Sequence, residues 1–237
     1  MPFGRLVKYL LDQKGSGGYL IDQKSPMIDL YCERHGAGLL AEPINGFTNI
    51  VFFIAAWAAW SLARRSNALT TDVWVLIALP ITIGIGSVLF HTFATGWASI
   101  LDEVPILLFQ LWFLWLYARR IMALRAEFAA ASISVYIFAA YISRQFPHLL
   151  NGSLIYAPAL ILLLGLGLYH FLQHKRERLL LLATMGVFLA SLIFRSIDKA
   201  VCPYVPIGTH FLWHVLNGVV LYLSMRALIL NRPHQPA

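Results

Sequence analysis

Seven apolar runs, each close to twenty residues long, divide this chain at roughly 44–63, 72–93, 99–118, 127–144, 153–173, 179–197 and 207–230. A helix of that length crosses about 30 Å of hydrocarbon, and lipid tolerates only backbone whose polar groups are paired within the protein. The runs therefore predict an all-α polytopic membrane protein, a seven-transmembrane helix bundle. Composition agrees: 59% of the 237 residues are hydrophobic, 12% are charged and the mean hydropathy is +0.70. A soluble domain has about 45–50% apolar and about 25% charged residues. The fourth run is rich in Ala and Ser and the weakest of the seven, but without it the charged connections would not stay on one side. Connections are short throughout. Residues 44–230 are thus expected to form one up-and-down domain, with an extramembrane segment at 1–43 and a tail at 231–237.

A formal net charge of +7 and a pI near 9.6 would suit a nucleic-acid partner, but the basic residues lie where topology signals lie. Arg64, Arg65, Arg119, Arg120, Arg125, Lys175, Arg176, Arg178 and Arg232 fall on one side of the predicted bundle, whereas the loops of the other side carry Arg144 and Lys199. The positive-inside rule then places the N-terminus outside, in the periplasm or a lumen, and the C-terminus in the cytoplasm. The N-terminal segment is mixed: Arg5, Lys8, Lys14, Lys24 and Arg34 are balanced by Asp12, Asp22, Asp29, Glu33 and Glu42. It contains no apolar core of a cleavable signal peptide. Two cysteines are too few for a disulfide framework. The topology nevertheless puts Cys32 and Cys202 on the same outer side, where an oxidising compartment permits one bridge. Two unrelated buried thiols are the alternative, because pairing requires Cα atoms within about 7 Å.

Polar groups within the apolar runs are the best pointers to chemistry, since each costs a few kcal/mol or more in a bilayer unless paired, metal-bound or hydrated. His91 lies near the outer end of the second run, and Asp102 follows it by eleven residues at the start of the third. His210 and His214 open the seventh, and i, i+4 spacing puts both on one helix face. With helix seven starting near Ile207, His214 would sit roughly 10 Å deep. Ser87 and His91 likewise project together. Three neutral imidazoles with an open fourth position are a common catalytic zinc arrangement, and Asp102 can orient or deprotonate the water there. The competing reading is a set of separate helix–helix hydrogen-bond partners, with Ser87 a packing serine. His148, His170, His174 and His234 fall in loops, at the opposite end or in the tail, and read as solvated.

Gly86-Ser87-Val88-Leu89-Phe90-His91, then Leu101-Asp102-Glu103, then His210-Phe211-Leu212-Trp213-His214, resemble the alkaline ceramidases, within the CREST group of seven-span hydrolases that includes the adiponectin and progestin receptors. Tyr31-Cys32-Glu33 followed by Glu42-Pro43-Ile44-Asn45 resembles the ceramidase motif that precedes the first span. The resemblance covers roughly residues 29 to 230. It implies a zinc amidase acting on the N-acyl bond of ceramide-like lipids. His91, His210 and His214 would hold zinc, Asp102 would be the general base and Ser87 would help to hold the oxyanion or the surroundings of the metal. Substrate would arrive laterally from the lipid. Eukaryotic members also bind calcium through an N-terminal oxygen cluster, for which Asp29, Glu33, Glu42 and Asn45 are the candidates here. The sequence departs from that pattern: Arg34 and His35 stand where a further oxygen ligand is expected, and Asp29 is one residue out of spacing.

Arg195 and Asp198, one turn apart, are expected to pair at i, i+3, with Arg195 snorkelling to the interface; a role near a substrate head group is the alternative. Trp74, Trp97, Trp112 and Trp115 read as interface and packing aromatics. Two rival functions remain open on sequence. One is a signalling protein of the same fold with structural zinc, disfavoured by the carboxylate and serine beside the histidines. The other is a transporter with a His/Asp proton relay, for which broken helices and paired half-repeats would be expected.

Overall fold

A computed structural model describes residues 27–36 and 38–232. Most of the expected N-terminal segment, and the tail beyond residue 232 with His234, lie outside the described residues. Among those described there is no strand. Seven helices are long and apolar enough to cross a membrane: α1 Pro43–Arg65, α2 Thr71–Phe93, α3 Gly96–Ile121, α4 Ala126–Arg144, α5 Leu149–Leu172, α6 Leu180–Val201 and α7 His210–Leu230. Each helix packs on the next, and α7 returns to pack on α1, so the ring closes. Helices α7 and α2 bury the largest share of their surface and α4 the smallest. Large apolar side chains such as Trp57, Val135, Phe138 and Ile161 point outward, as expected where lipid replaces water.

The helix ends differ from the expected spans for local reasons. Ala94 adopts a left-handed conformation (φ 48°) that closes α2 through its N–H to the Phe90 carbonyl, and Thr95 is extended. Helix α3 therefore starts at Gly96, three residues before the apolar run suggests. At its other end α3 finishes in a π-helical turn, Tyr117–Ile121. Helix α7 starts later than expected, at His210. Gly208 makes the turn before it with φ +65°, and a Cβ there would collide with the Asp198 carboxylate and Cys32. His214 thus lies four residues from the helix start, roughly 6 Å along the axis, and the histidines sit at the mouth of the bundle, shallower than the run implied.

Two positions bring α2 and α3 together beside the histidines. Pro105 has no N–H, so the Leu101 carbonyl one turn earlier lacks its usual helical partner. Gly86 of α2 lies directly against that carbonyl, where any Cβ would clash with Leu101 backbone. The close approach sets the next residue, Ser87, beside Asp102, within interaction range of its carboxylate.

At the opposite end, His170 corrects the reading of a solvated histidine. It is fully buried, with Nδ1 2.7 Å from the Tyr117 hydroxyl and Nε2 3.0 Å from the Arg176 carbonyl. It ties the end of α5 to the π turn of α3. A buried imidazole placed between two partners needs no metal.

Candidate metal centre

His91 near the end of α2 and His210 and His214 at the start of α7 are each about 2% exposed. One nitrogen from each lies within 4.8 Å of the others, and this is the one cluster of its kind among the described residues. His91 Nε2 and His214 Nε2 face each other at 3.1 Å. Their opposite nitrogens are engaged elsewhere: His91 Nδ1 meets Glu42 Oε2 at 2.5 Å, and His214 Nδ1 meets the Thr48 hydroxyl at 3.0 Å. Partners of this sort fix ring orientation and tautomer in metal-binding histidines and raise their basicity as ligands. His210 Nδ1 is buried without a hydrogen-bond partner, a costly state for an imidazole nitrogen that binds nothing. Tyr31 stacks on the His210 ring with centroids 3.5 Å apart. Neutral nitrogen donors that converge, with outer nitrogens held, suit a zinc-type ion.

Asp102 and Ser87 flank this cluster from α3 and α2, and the charge of Asp102 acts directly on His91. Toward the centre of the bundle lies an apolar cavity, lined in part by Phe52, Phe109, Phe188, Trp213 and Leu221. The Phe52 ring also packs edge-on against His214, at 6.3 Å. The histidine cluster and the cavity therefore share a wall.

A family model for ceramidases matches residues 29–235, most of the chain. This chain belongs to the ceramidase family. It is accordingly a multi-pass membrane protein of a family of ceramide hydrolases. No curated protein matches it.

Of the four oxygen-bearing residues considered for calcium, three carboxylates have partners within this ceramidase, and Asn45 Oδ1 is buried without one. Asp29 is largely exposed and lies 3.6 Å from Lys199. The Glu33 carboxylate accepts the N–H groups of Ile44 and Asn45, at 2.6 and 2.8 Å, and so holds the first turn of α1. Glu42 is occupied by His91, by the Asn45 amide at 3.0 Å, and by Arg34, whose Nε donates to Oε1 at 2.5 Å. Burial pushes the Glu42 carboxyl up, but the hydrogen bonds from His91, Asn45 and Arg34 outweigh it and hold the group below its ordinary range. Arg34 also donates to the His91 carbonyl at 2.6 Å, in the last turn of α2. A guanidinium fixed in this way places a positive charge against Glu42, at the position where the family pattern would have a further oxygen ligand. Arg34 marked the departure in sequence; its partners were not visible there.

Cys32 and Cys202 form a disulfide, with Cα atoms 5.4 Å apart. It anchors the segment carrying Tyr31, Glu33 and Arg34 to the turn after α6.

The expected Arg195–Asp198 pair is also corrected. Asp198 is fully buried and accepts the N–H groups of Cys32, Thr209 and His210 at 2.9, 2.6 and 2.9 Å. It is the N-terminal cap of α7, where orphan amides and the helix dipole favour a carboxylate. Arg195 turns the other way, into the bundle. It donates to the Asn151 carbonyl and the Ser153 hydroxyl at 3.0 and 2.8 Å, and lies against the rings of Tyr156 and Trp213. It does not snorkel.

Proposed function

We propose that this ceramidase is a zinc-dependent amidohydrolase that cleaves the N-acyl amide of ceramide-like lipids into a free fatty acid and a long-chain base. The observation that carries the reading is the convergence of three buried imidazoles beside Asp102, Ser87 and an apolar cavity within the membrane span. His91, His210 and His214 would hold the metal. Bound there, zinc would acidify a water molecule and polarise the amide carbonyl.

The residues of the chain then divide the work. Asp102 takes the proton of the attacking water and returns it to the departing amine nitrogen as the C–N bond breaks. The Ser87 hydroxyl donates to the carbonyl oxygen as negative charge develops on it. Glu42 and Thr48 keep two imidazoles turned inward, and the cavity takes the acyl chain out of reach of water. The N-terminus would lie outside and the C-terminus in the cytoplasm. This is supported by the disulfide at the histidine end, which suits an oxidising compartment, and by the arginine-rich loops at the other end.

Metal analysis of detergent-purified protein, paired with a fatty-acid release assay over a panel of N-acyl lipids, tests the reading. About one zinc per chain is expected, lost in His214→Ala together with turnover. Stoichiometric zinc in the His91, His210 and His214 alanine variants alike would sink the assignment.

A further inference from the structure

Tyr31 belongs to the segment before α1, yet its ring lies within the histidine cluster. It stacks on His210 with centroids 3.5 Å apart and planes 18° from parallel, and it lies 5.5 Å from the His91 ring. The residue is buried. A phenylalanine would pack on His210 equally well, so the ring contact leaves the hydroxyl unexplained.

The backbone beside Tyr31 is fixed at the outer rim. Cys32 is bonded to Cys202, and its N–H donates to Asp198 at 2.9 Å. The hydroxyl points the other way. It lies within hydrogen-bonding range of the Arg195 guanidinium, which sits 5.2 and 5.6 Å from the ring centroids of Tyr156 and Trp213. Both of those rings line the apolar cavity. The charge of Asp102 also acts on the Tyr31 hydroxyl. The side chain therefore runs from the rim, across His210, to the point where histidines, Asp102 and cavity meet.

Donor and acceptor roles follow from the chemistry of the pair. A guanidinium has N–H donors and no acceptor, so the Tyr31 oxygen accepts from Arg195. Its own proton then goes to no acceptor among the described residues. The charge of Arg195 is itself answered, since Glu103 and Asp102 both act on it; the guanidinium holds the hydroxyl in place. An oxygen that accepts from a cation is also polarised into a stronger donor through its own O–H. Buried hydroxyls are nearly always paired, and this one has its proton left over beside a reacting centre.

We propose that Tyr31 is a catalytic residue, whose hydroxyl is a second donor, alongside Ser87, to the oxyanion formed in amide hydrolysis. The proposal rests on the amidohydrolase reading above and adds a residue to that same site. As the water oxygen bonds to the carbonyl carbon, the C=O electron pair moves onto oxygen. There the O–H groups of Tyr31 and Ser87 both donate to it. That pair then re-forms C=O as the C–N bond breaks. The nitrogen keeps the bonding electrons and takes the proton that Asp102 removed from water, giving one acid and one amine. Tyr31 keeps its proton throughout. Its hydrogen bond strengthens as charge reaches the oxygen, so it favours the transition state over the bound amide.

The test uses full-length, zinc-loaded protein in detergent with N-oleoylsphingosine. Tyr31→Phe keeps the ring on His210 and should leave zinc content, thermal stability and KM close to the parent, while kcat falls about 10²–10³-fold. An uncleavable analogue with a phosphonate in place of the amide carbonyl should bind more weakly by a similar factor. Parental turnover in Tyr31→Phe overturns the proposal. So does loss of zinc with turnover, which would make the hydroxyl a support for His210, and so does a rise in KM at unchanged kcat. Site-specific 3-fluorotyrosine at position 31 alters the acidity of the hydroxyl with almost no change of shape, and it decides where Tyr31→Phe does not fold. Altered kcat at constant KM supports the donor, and no response overturns it. If the parent releases no fatty acid from any N-acyl lipid, the amidohydrolase reading fails on its own. Phosphonate binding then still decides: tighter binding to the parent than to Tyr31→Phe supports the donor, and equal binding overturns it.

Discussion

Removing the Arg34 guanidinium is the sharpest perturbation the structure offers, because it separates a buried charge pair from the imidazole it supports. Arg34 and Glu42 are each about 1% exposed in their side chains. Replacing Arg34 by Met keeps volume and removes charge, leaving Glu42 buried against His91 and Asn45 alone. Truncating one member of a buried, hydrogen-bonded pair costs about 3–5 kcal/mol, whereas replacing both members by neutral groups is often close to neutral. Arg34→Met should therefore destabilise by about 3–5 kcal/mol, and Arg34→Met with Glu42→Gln should recover most of it. Denaturation in mixed micelles, read as a double-mutant cycle, gives the coupling. Metal affinity should follow a different order. Glu42→Gln alone weakens the hold on His91 Nδ1 and should reduce affinity by about 10–100-fold, with or without Arg34. The pH dependence has a definite sign. Glu42 is held below its ordinary value of 4.5, so its contribution is present above that pH and is lost as pH falls through the folded value. The gap between parent and Arg34→Met should narrow in acid, where Glu42 is protonated in both. A coupling energy below about 0.5 kcal/mol would refute the reasoning, as would stabilisation of the parent by calcium, since the guanidinium already holds the carboxylate that calcium would need.

Three further outcomes follow from the site and its supports. Asp102→Asn should keep metal and fold but lose about 10²–10⁴ in turnover; fatty-acid release at the parental rate would make the carboxylate structural. Gly86→Ala forces a Cβ into the Leu101 backbone and should destabilise by about 1–3 kcal/mol, with turnover falling further than stability as Ser87 and Asp102 separate. Unfolding midpoints and single-turnover rates measured on the same samples check both effects. Cys32→Ser opens a bridge between residues 170 apart in sequence and should cost about 2–4 kcal/mol; alkylation of both thiols in the untreated parent would remove the premise.

Apolar length alone carried the seven-helix bundle, because each span must pair its own backbone in lipid and has little other structure to choose from. Helix ends were less legible. They depend on Ala94 in a left-handed conformation, on Gly208 making a turn and on Asp198 capping α7 from another helix, none of which has a periodic signature. The i, i+4 pair His210 and His214 was readable because one helix face is local geometry. The partners of those imidazoles were not, since Glu42 and Thr48 reach them from α1 and the segment before it, more than 40 residues from the nearest histidine they contact. His170 looked solvated for the same reason: Tyr117 reaches it from a different helix.

The misread pair has a physical cause. Sequence spacing offers Arg195 to Asp198, an assignment that treats the nearest plausible neighbour as the partner. In the fold, carboxylates go first to donors that have no alternative. Asp198 takes the amides that open α7, where no side-chain cap from that helix is made. Glu42 takes an imidazole and a guanidinium that are buried with it. Once those demands are met, Arg195 is turned inward by Asn151 and Ser153. Held there against the rings of Tyr156 and Trp213, its guanidinium faces partners that sequence spacing does not bring near it.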